Sequence, residues 1–172
     1  YYTDTLKTDC SWGRLSPPSG LPELIDQTKI DLFAEWDVLN HQVVITARPK
    51  ASLFATLKSI TKAQDKILVP SPSWPSYFDI CALAECVPVE MPTAFSNGFN
   101  LEIEEIKQIY HKEKFRVIMF SNPNNPTGII YDGDFLKQLD KFAQDCGFYV
   151  VIDQSFSKVI FEILGGFWGP RS

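Results

Sequence analysis

Three short runs in this chain leave a β-strand no face to turn toward water. KILVP (residues 66–70), RVIMF (116–120) and FYVVID (148–153) are apolar at almost every consecutive position. Side chains on a strand point alternately to opposite faces, so such runs need cover on both sides. The arrangement that provides it is a parallel sheet with helices packed on each face. Two further runs, QVVIT (42–46) and CVPVEM (86–91), read as strands of the same sheet.

The segments between these runs carry the helices that such a sheet requires. KASLFATLKSITK (50–62) places Leu53, Phe54, Leu57 and Ile60 at helical spacing, and SYFDICALAE (76–85) repeats the pattern. NLEIEEIKQIYHK (100–112) is amphipathic, with Asn100 placed to cap its first turn. DGDFLKQLDKFAQDCG (132–147) has acidic residues at its start and Gly147 at its stop. The pattern predicts an α/β fold of three αβα layers around a mostly parallel sheet. Residues 1–40 form an entry segment with one helix, 41–164 the core, and 165–172 an irregular tail.

Composition removes several classes of function. A chain of 172 residues can bury a sizeable core, and 45% hydrophobic with 22% charged residues is a globular composition. A net charge of −5 and a pI near 5.0 argue against nucleic acid as a partner. No apolar run approaches the ~20 residues of a membrane-spanning helix, so no membrane role is expected. The four cysteines (Cys10, Cys81, Cys86, Cys146) form no Cys-x-x-Cys pair, and His41 and His111 stand apart. No metal site is expected from them, and a reducing, cytoplasmic compartment suits them better than secretion. The chain begins at Tyr1 rather than Met, which reads as a processed or truncated start.

In parallel α/β sheets ligands bind beyond the carboxyl ends of the strands. Three segments occupy such ends: SPSWPSY (71–77), SNPNNPTG (121–128) and DQSF (153–156). Asp153 closes an apolar strand, where a carboxylate needs a donor or a cation; a protonated heterocyclic nitrogen is one such partner, a turn-capping role the other. In SNPNNPTG the prolines hold Asn122 and Asn125 extended, able to aim an amide at a ligand or to satisfy the local backbone. Trp74, between two prolines, can lie flat on a planar ring or fill a core.

Taken together and in this order, VPSPSWPSY, SNPNNPTG and VVIDQSF resemble the class I/II aminotransferases, the fold type I enzymes dependent on pyridoxal 5′-phosphate (PLP). The resemblance runs over residues 43–161, and Asn-Pro-x-Asn-Pro-Thr-Gly is a specific motif. It implies an incomplete PLP-dependent transferase-like large domain, with PLP as cofactor. Trp74 would stack on the cofactor ring, Asn125 would donate to its 3′-oxygen, and Asp153 would pair with its pyridine nitrogen. An amino acid and a 2-oxo acid would be the substrates, and the complete protein would be a homodimer.

Three departures from the family pattern accompany the resemblance. The turn expected to cradle phosphate with glycine amides reads TARPKAS (46–52), leaving Arg48 and Lys50 as the candidate phosphate contacts or the cup lost. Phe156 stands where the family often carries a tyrosine that also donates to the 3′-oxygen. The family's Schiff-base lysine falls beyond the last residue here, and Lys158, in SFSK (155–158), is the one candidate within the chain. Two functions therefore compete. One is the PLP-binding core of an aminotransferase, partial as it stands. The other is a catalytically inactive aminotransferase-like domain with an assembly or regulatory role, of the kind found in plant methionine S-methyltransferase.

Overall fold

A computed structural model describes residues 17–34, 39 and 42–159. They belong to two compact units that divide between Ala47 and Arg48. In the first unit, helix α1 (Pro22–Phe33) starts with proline at the position where a missing N–H costs nothing, and buries Ile25. Its approach is fixed at Gly20, whose φ of +113° suits glycine and whose added Cβ would lie 2.7 Å from the Ile45 Cβ.

The second unit contains the sheet. Its elements run α2 (Pro49–Ile60), β1 (Lys66–Ser71), α3 (Ser76–Leu83), β2 (Val87–Pro92), α4 (Ile103–Glu113), β3 (Val117–Ser121), α5 (Gly133–Cys146) and β4 (Tyr149–Asp153). The four strands among the described residues are all parallel and lie in the order β2-β1-β3-β4. β1 and β3 occupy the centre, which is why their runs are so uniformly apolar. Four consecutive residues of β1 and all five of β3 are buried. The edge strands β2 and β4 are only partly covered.

Alternation along the central strands sorts the core into two layers. Ile67 and Val69 of β1, with Val117 and Met119 of β3, pack against Leu53 and Leu57 of α2 and Tyr77, Ile80 and Cys81 of α3. On the opposite face Leu68, Ile118 and Phe120 meet Ile106 of α4 and Leu136, Leu139 and Ala143 of α5. This is the three-layer αβα sandwich that the apolar runs require.

Two local expectations are corrected. QVVIT forms no strand: only Val43 is buried, Val44 is exposed, and its backbone bonds are those of turns and loops, Gln42 N–H to the Leu39 carbonyl at 2.9 Å and Ile45 N–H to the Ser19 carbonyl at 2.8 Å. Apolar content alone does not make a strand where no ladder partner runs alongside. Asn100 does not cap α4, which begins after Glu102 without a side-chain cap. Asn100 instead closes a loop, donating to the Asn97 carbonyl at 2.7 Å while the Asn97 amide returns the bond at 3.3 Å. By contrast, Asp132 caps α5 as its position suggests, accepting from the Phe135 N–H at 2.8 Å. The tail of residues 165–172 lies outside the described residues.

Phe120 is 1% exposed and meets the Tyr131 ring edge-on at 5.4 Å. Phe120→Ala is expected to cost about 3–5 kcal/mol. Urea denaturation of the variant and the parent checks the difference.

Candidate functional site

The strand order places a crevice at one end of the sheet. The chain leaves β1 for α3 on one face and leaves β3 for α5 on the other, so the loops after these neighbouring strands diverge. Trp74 follows β1, the amide-rich loop follows β3, and Asp153 ends β4. All three belong to the second unit.

The amide-rich loop divides its asparagines between two jobs. The Asn122 side chain is spent on the backbone of Tyr131, donating to its carbonyl at 3.1 Å and accepting from its N–H at 3.0 Å. Asn124 accepts from the Ser121 hydroxyl at 3.1 Å and donates to Thr127 Oγ1 at 2.8 Å and to the Pro72 carbonyl at 3.2 Å. Ser121 Oγ in turn accepts the Asn125 N–H at 2.9 Å. The turn closes through Gly128, whose N–H donates to the Asn124 carbonyl at 2.8 Å and whose φ is +75°. The peptide bonds before Pro72, Pro123 and Pro126 are cis. Asn122, for which the sequence left a ligand-facing and a backbone-satisfying role open, takes the second and is a buried latch. The Asn125 side-chain amide has no hydrogen bond among the described residues.

Asp153 has both carboxylate oxygens occupied. Oδ2 accepts from the Tyr77 hydroxyl at 3.1 Å, and Oδ1 accepts from the Ser155 N–H at 2.9 Å and the Ser155 hydroxyl at 2.6 Å. Its backbone is registered against Ser121 of β3, and its carbonyl accepts the Asn122 N–H at 3.0 Å. Tyr77 is fully buried on the first turn of α3. Burial, and after it the Asp153 carboxylate, pushes its phenol well above the ordinary tyrosine value, so the hydroxyl keeps its proton. Sequence reasoning passed over Tyr77, Ser121, Asn124 and Ser155. The signal for Tyr77 was its place three residues after Trp74, one helical turn on.

Trp74 packs edge-on against Tyr77, with ring centroids 5.6 Å apart and planes at 84°. The Lys50 ammonium lies 5.2 Å from the centre of the Trp74 ring, a cation–π contact. Lys50 is therefore brought to the same group of residues as Trp74. Arg48 is the residue before α2, and its carbonyl accepts the Ala51 and Ser52 N–H groups at 3.0 and 3.1 Å. Lys158 sits exposed in the turns after β4, where the Ser157 N–H meets the Gln154 carbonyl at 2.9 Å. Among the described residues, no hydrogen bond or ion pair joins it to Trp74, Asn125 or Asp153. Phe156 is 45% exposed and has no hydroxyl to offer.

A flat cofactor with a pyridine nitrogen and a ring-borne oxygen would fit one half of this arrangement. Trp74 offers an indole ring, Asn125 an unspent amide, and Asp153 an oriented carboxylate. The Ser73 hydroxyl, buried next to Trp74 without a partner among the described residues, is a further polar atom left for a ligand to satisfy. At the phosphate half the donors differ in kind. Pro49 has no N–H, and the Ala51 and Ser52 amides turn back on Arg48. The first turn of α2 thus offers cationic side chains more than backbone amides. No group of three or more His, Cys, Asp or Glu able to hold a metal occurs among the described residues.

Comparison with known proteins gives one consistent answer. Residues 10–169 match the family model described as aminotransferase class I and II. A protein of Aquifex aeolicus named "Probable aspartate/prephenate aminotransferase" is 30% identical over 150 residues, which is 86% of this chain and 38% of that protein. An aspartate aminotransferase of Thermotoga maritima is also 30% identical over 150 residues, covering 86% of this chain and 40% of the relative. Among solved structures, the Thermus thermophilus aspartate aminotransferase with maleate superposes with a TM-score of 0.83 at 27% identity, over 93% of this chain and 42% of its own. The chain therefore spans about two fifths of the length of these relatives.

The division of labour among the asparagines has a measurable consequence. Asn122→Ala strands a buried Tyr131 N–H and is expected to cost about 1–3 kcal/mol. Asn125→Ala removes no hydrogen bond from a described residue and is expected to change stability by less than about 0.5 kcal/mol. Parallel urea titrations of the two variants check the contrast.

Proposed function

The chain belongs to the aminotransferase class I and II family, and from that membership we propose that it is the PLP-binding core of an enzyme that moves an amino group between an amino acid and a 2-oxo acid. One observation carries this reading: an oriented Asp153 carboxylate and an unspent Asn125 amide stand at neighbouring strand ends. Trp74 supplies the surface on which the pyridine ring lies. Asn125 donates to the 3′-oxygen, and Asp153 accepts a hydrogen bond from the protonated ring nitrogen. Arg48 and Lys50 meet the phosphate with charge. PLP, when bound, supplies an electron sink for the carbanion formed at the substrate carbon.

The remaining roles follow from the relatives and from the chain's own chemistry. Relatives named aspartate aminotransferase support an amino acid and a 2-oxo acid as substrates. A homodimer in the complete protein and a cytoplasmic setting belong to the same proposal; the free thiols of Cys81, Cys86 and Cys146 support a reducing compartment. No helix among the described residues is long and apolar enough to cross a membrane. Lys158 is kept as the lysine to test for a covalent link to PLP. The competing reading, an inactive aminotransferase-like domain, draws on the altered first turn of α2.

PLP titration followed by absorbance separates the two. Saturable binding is expected, weakened more than about tenfold by Asp153→Asn and about fivefold by Trp74→Ala. Borohydride reduction and peptide mapping then identify any modified lysine, and an adduct on Lys158 would make it the anchor. A protein that contains this chain and binds no PLP would be the inactive domain.

A further inference from the structure

The orientation of Asp153 needs a cause, because a carboxylate on the last residue of a strand can turn about two side-chain bonds. We propose that Tyr77 and Ser155 are positioning residues that hold this carboxylate from both sides, one on each oxygen. The inference rests on the PLP reading and deepens it. It assigns to two hydroxyl groups the task of aiming Asp153 at the ring nitrogen.

The two donors are independent in origin. Ser155 lies two residues past Asp153, and its N–H bond to Oδ1 at 2.9 Å is one that any residue there can make in a turn. Its hydroxyl bond, at 2.6 Å, is specific to this side chain. Tyr77 reaches Oδ2 from another element. The ring is fixed by the layer that holds Ile80 and Cys81 against Ile67, Val69 and Met119. Its hydroxyl cannot swing away without moving α3, and burial keeps it protonated.

Tyr77 also links Asp153 to Trp74. The phenol ring stands at 84° to the indole, so one buried side chain sets both the tilt of the stacking surface and the direction of the carboxylate. With Phe156 unable to donate, the hydroxyls at this end of the crevice act on the carboxylate and leave the 3′-oxygen to Asn125. Oδ1 accepts two bonds and so has both lone pairs in use, whereas Oδ2 accepts one, so the clamp leaves a free site on Oδ2 for a further partner.

The test uses the protein loaded with PLP isotope-labelled at its ring nitrogen, read by nitrogen NMR and by PLP affinity. Tyr77→Phe and Ser155→Ala are each expected to weaken PLP binding severalfold, and the double variant about tenfold or more. The ring-nitrogen resonance should move part of the way toward the unprotonated position that Asp153→Asn produces in full. Ser155→Thr should restore both readouts, and Ser155→Ala should leave the unfolding midpoint unchanged. If Tyr77→Phe does not fold, the Ser155→Ala and Ser155→Thr pair decides alone. Wild-type affinity and resonance in the hydroxyl variants, with both lost in Asp153→Asn, would overturn the clamp and leave the PLP reading standing. An Asp153→Asn protein that behaves as wild type, or a wild type that binds no PLP, would overturn both.

Discussion

Everything at this site depends on a short meeting of β1 and β3. Their ladder is confined to Ile67↔Val117 and Leu68↔Ile118, although β1 continues to Ser71 and β3 to Ser121. Beyond Leu68 and Ile118 each strand pairs with its outer neighbour, to Pro92 on β2 and to Asp153 on β4. The central strands thus stop pairing with each other before they end. In the gap, the side chain of Asn124 reaches the Pro72 carbonyl and takes the place of a backbone bond. A crevice in the middle of a parallel sheet would otherwise leave buried polar groups without partners, at a cost comparable to lost hydrogen bonds.

That accounting explains the run of amides after β3. A loop beginning on a fully buried strand has backbone groups that water cannot reach, and side-chain amides can both donate and accept. Asn122 does both for Tyr131, and Asn124 does both for Ser121 and the loop across the gap. Rigidity at Asn125 is then a product of its neighbours. Its N–H is held by Ser121 while its amide stays uncommitted. The buried network fixes where the free group points. Aligned donors that need no rearrangement are what a binding wall requires.

Much of this could be read before the fold was known, and the misses have physical causes. The apolar runs RVIMF and KILVP announced a sheet covered on both faces, and the helical segments between the runs made it a parallel one. Asp132 and Gly147 marked the limits of α5 because caps are local chemistry. QVVIT misled because strand formation depends on a neighbour, which composition does not report. The strand ends pointed to Asn125 and Asp153, yet the loop motif did not say which asparagine is structural, since that is decided by Tyr131, nine residues past Asn122. Tyr77 and Ser155 escaped notice for the same reason. Their importance lies in which carboxylate oxygen they meet, a fact of tertiary geometry.

The first turn of α2 shows how a departure at one position trades one property for another. Proline as the first helical residue presets φ and favours the helix start. The same residue removes an N–H from the end of the helix where a phosphate would be received. Lys50 brings charge to the neighbourhood of Trp74 instead. Backbone amides are fixed by the helix and lose little freedom on binding, whereas a lysine must be ordered and its charge is screened by salt. A phosphate held this way is drawn in by longer-range attraction but located less sharply. On the proposed PLP reading, placement of a bound ring would then fall more heavily on Trp74, Asn125 and Asp153, and so on the hydroxyl groups bonded to Asp153.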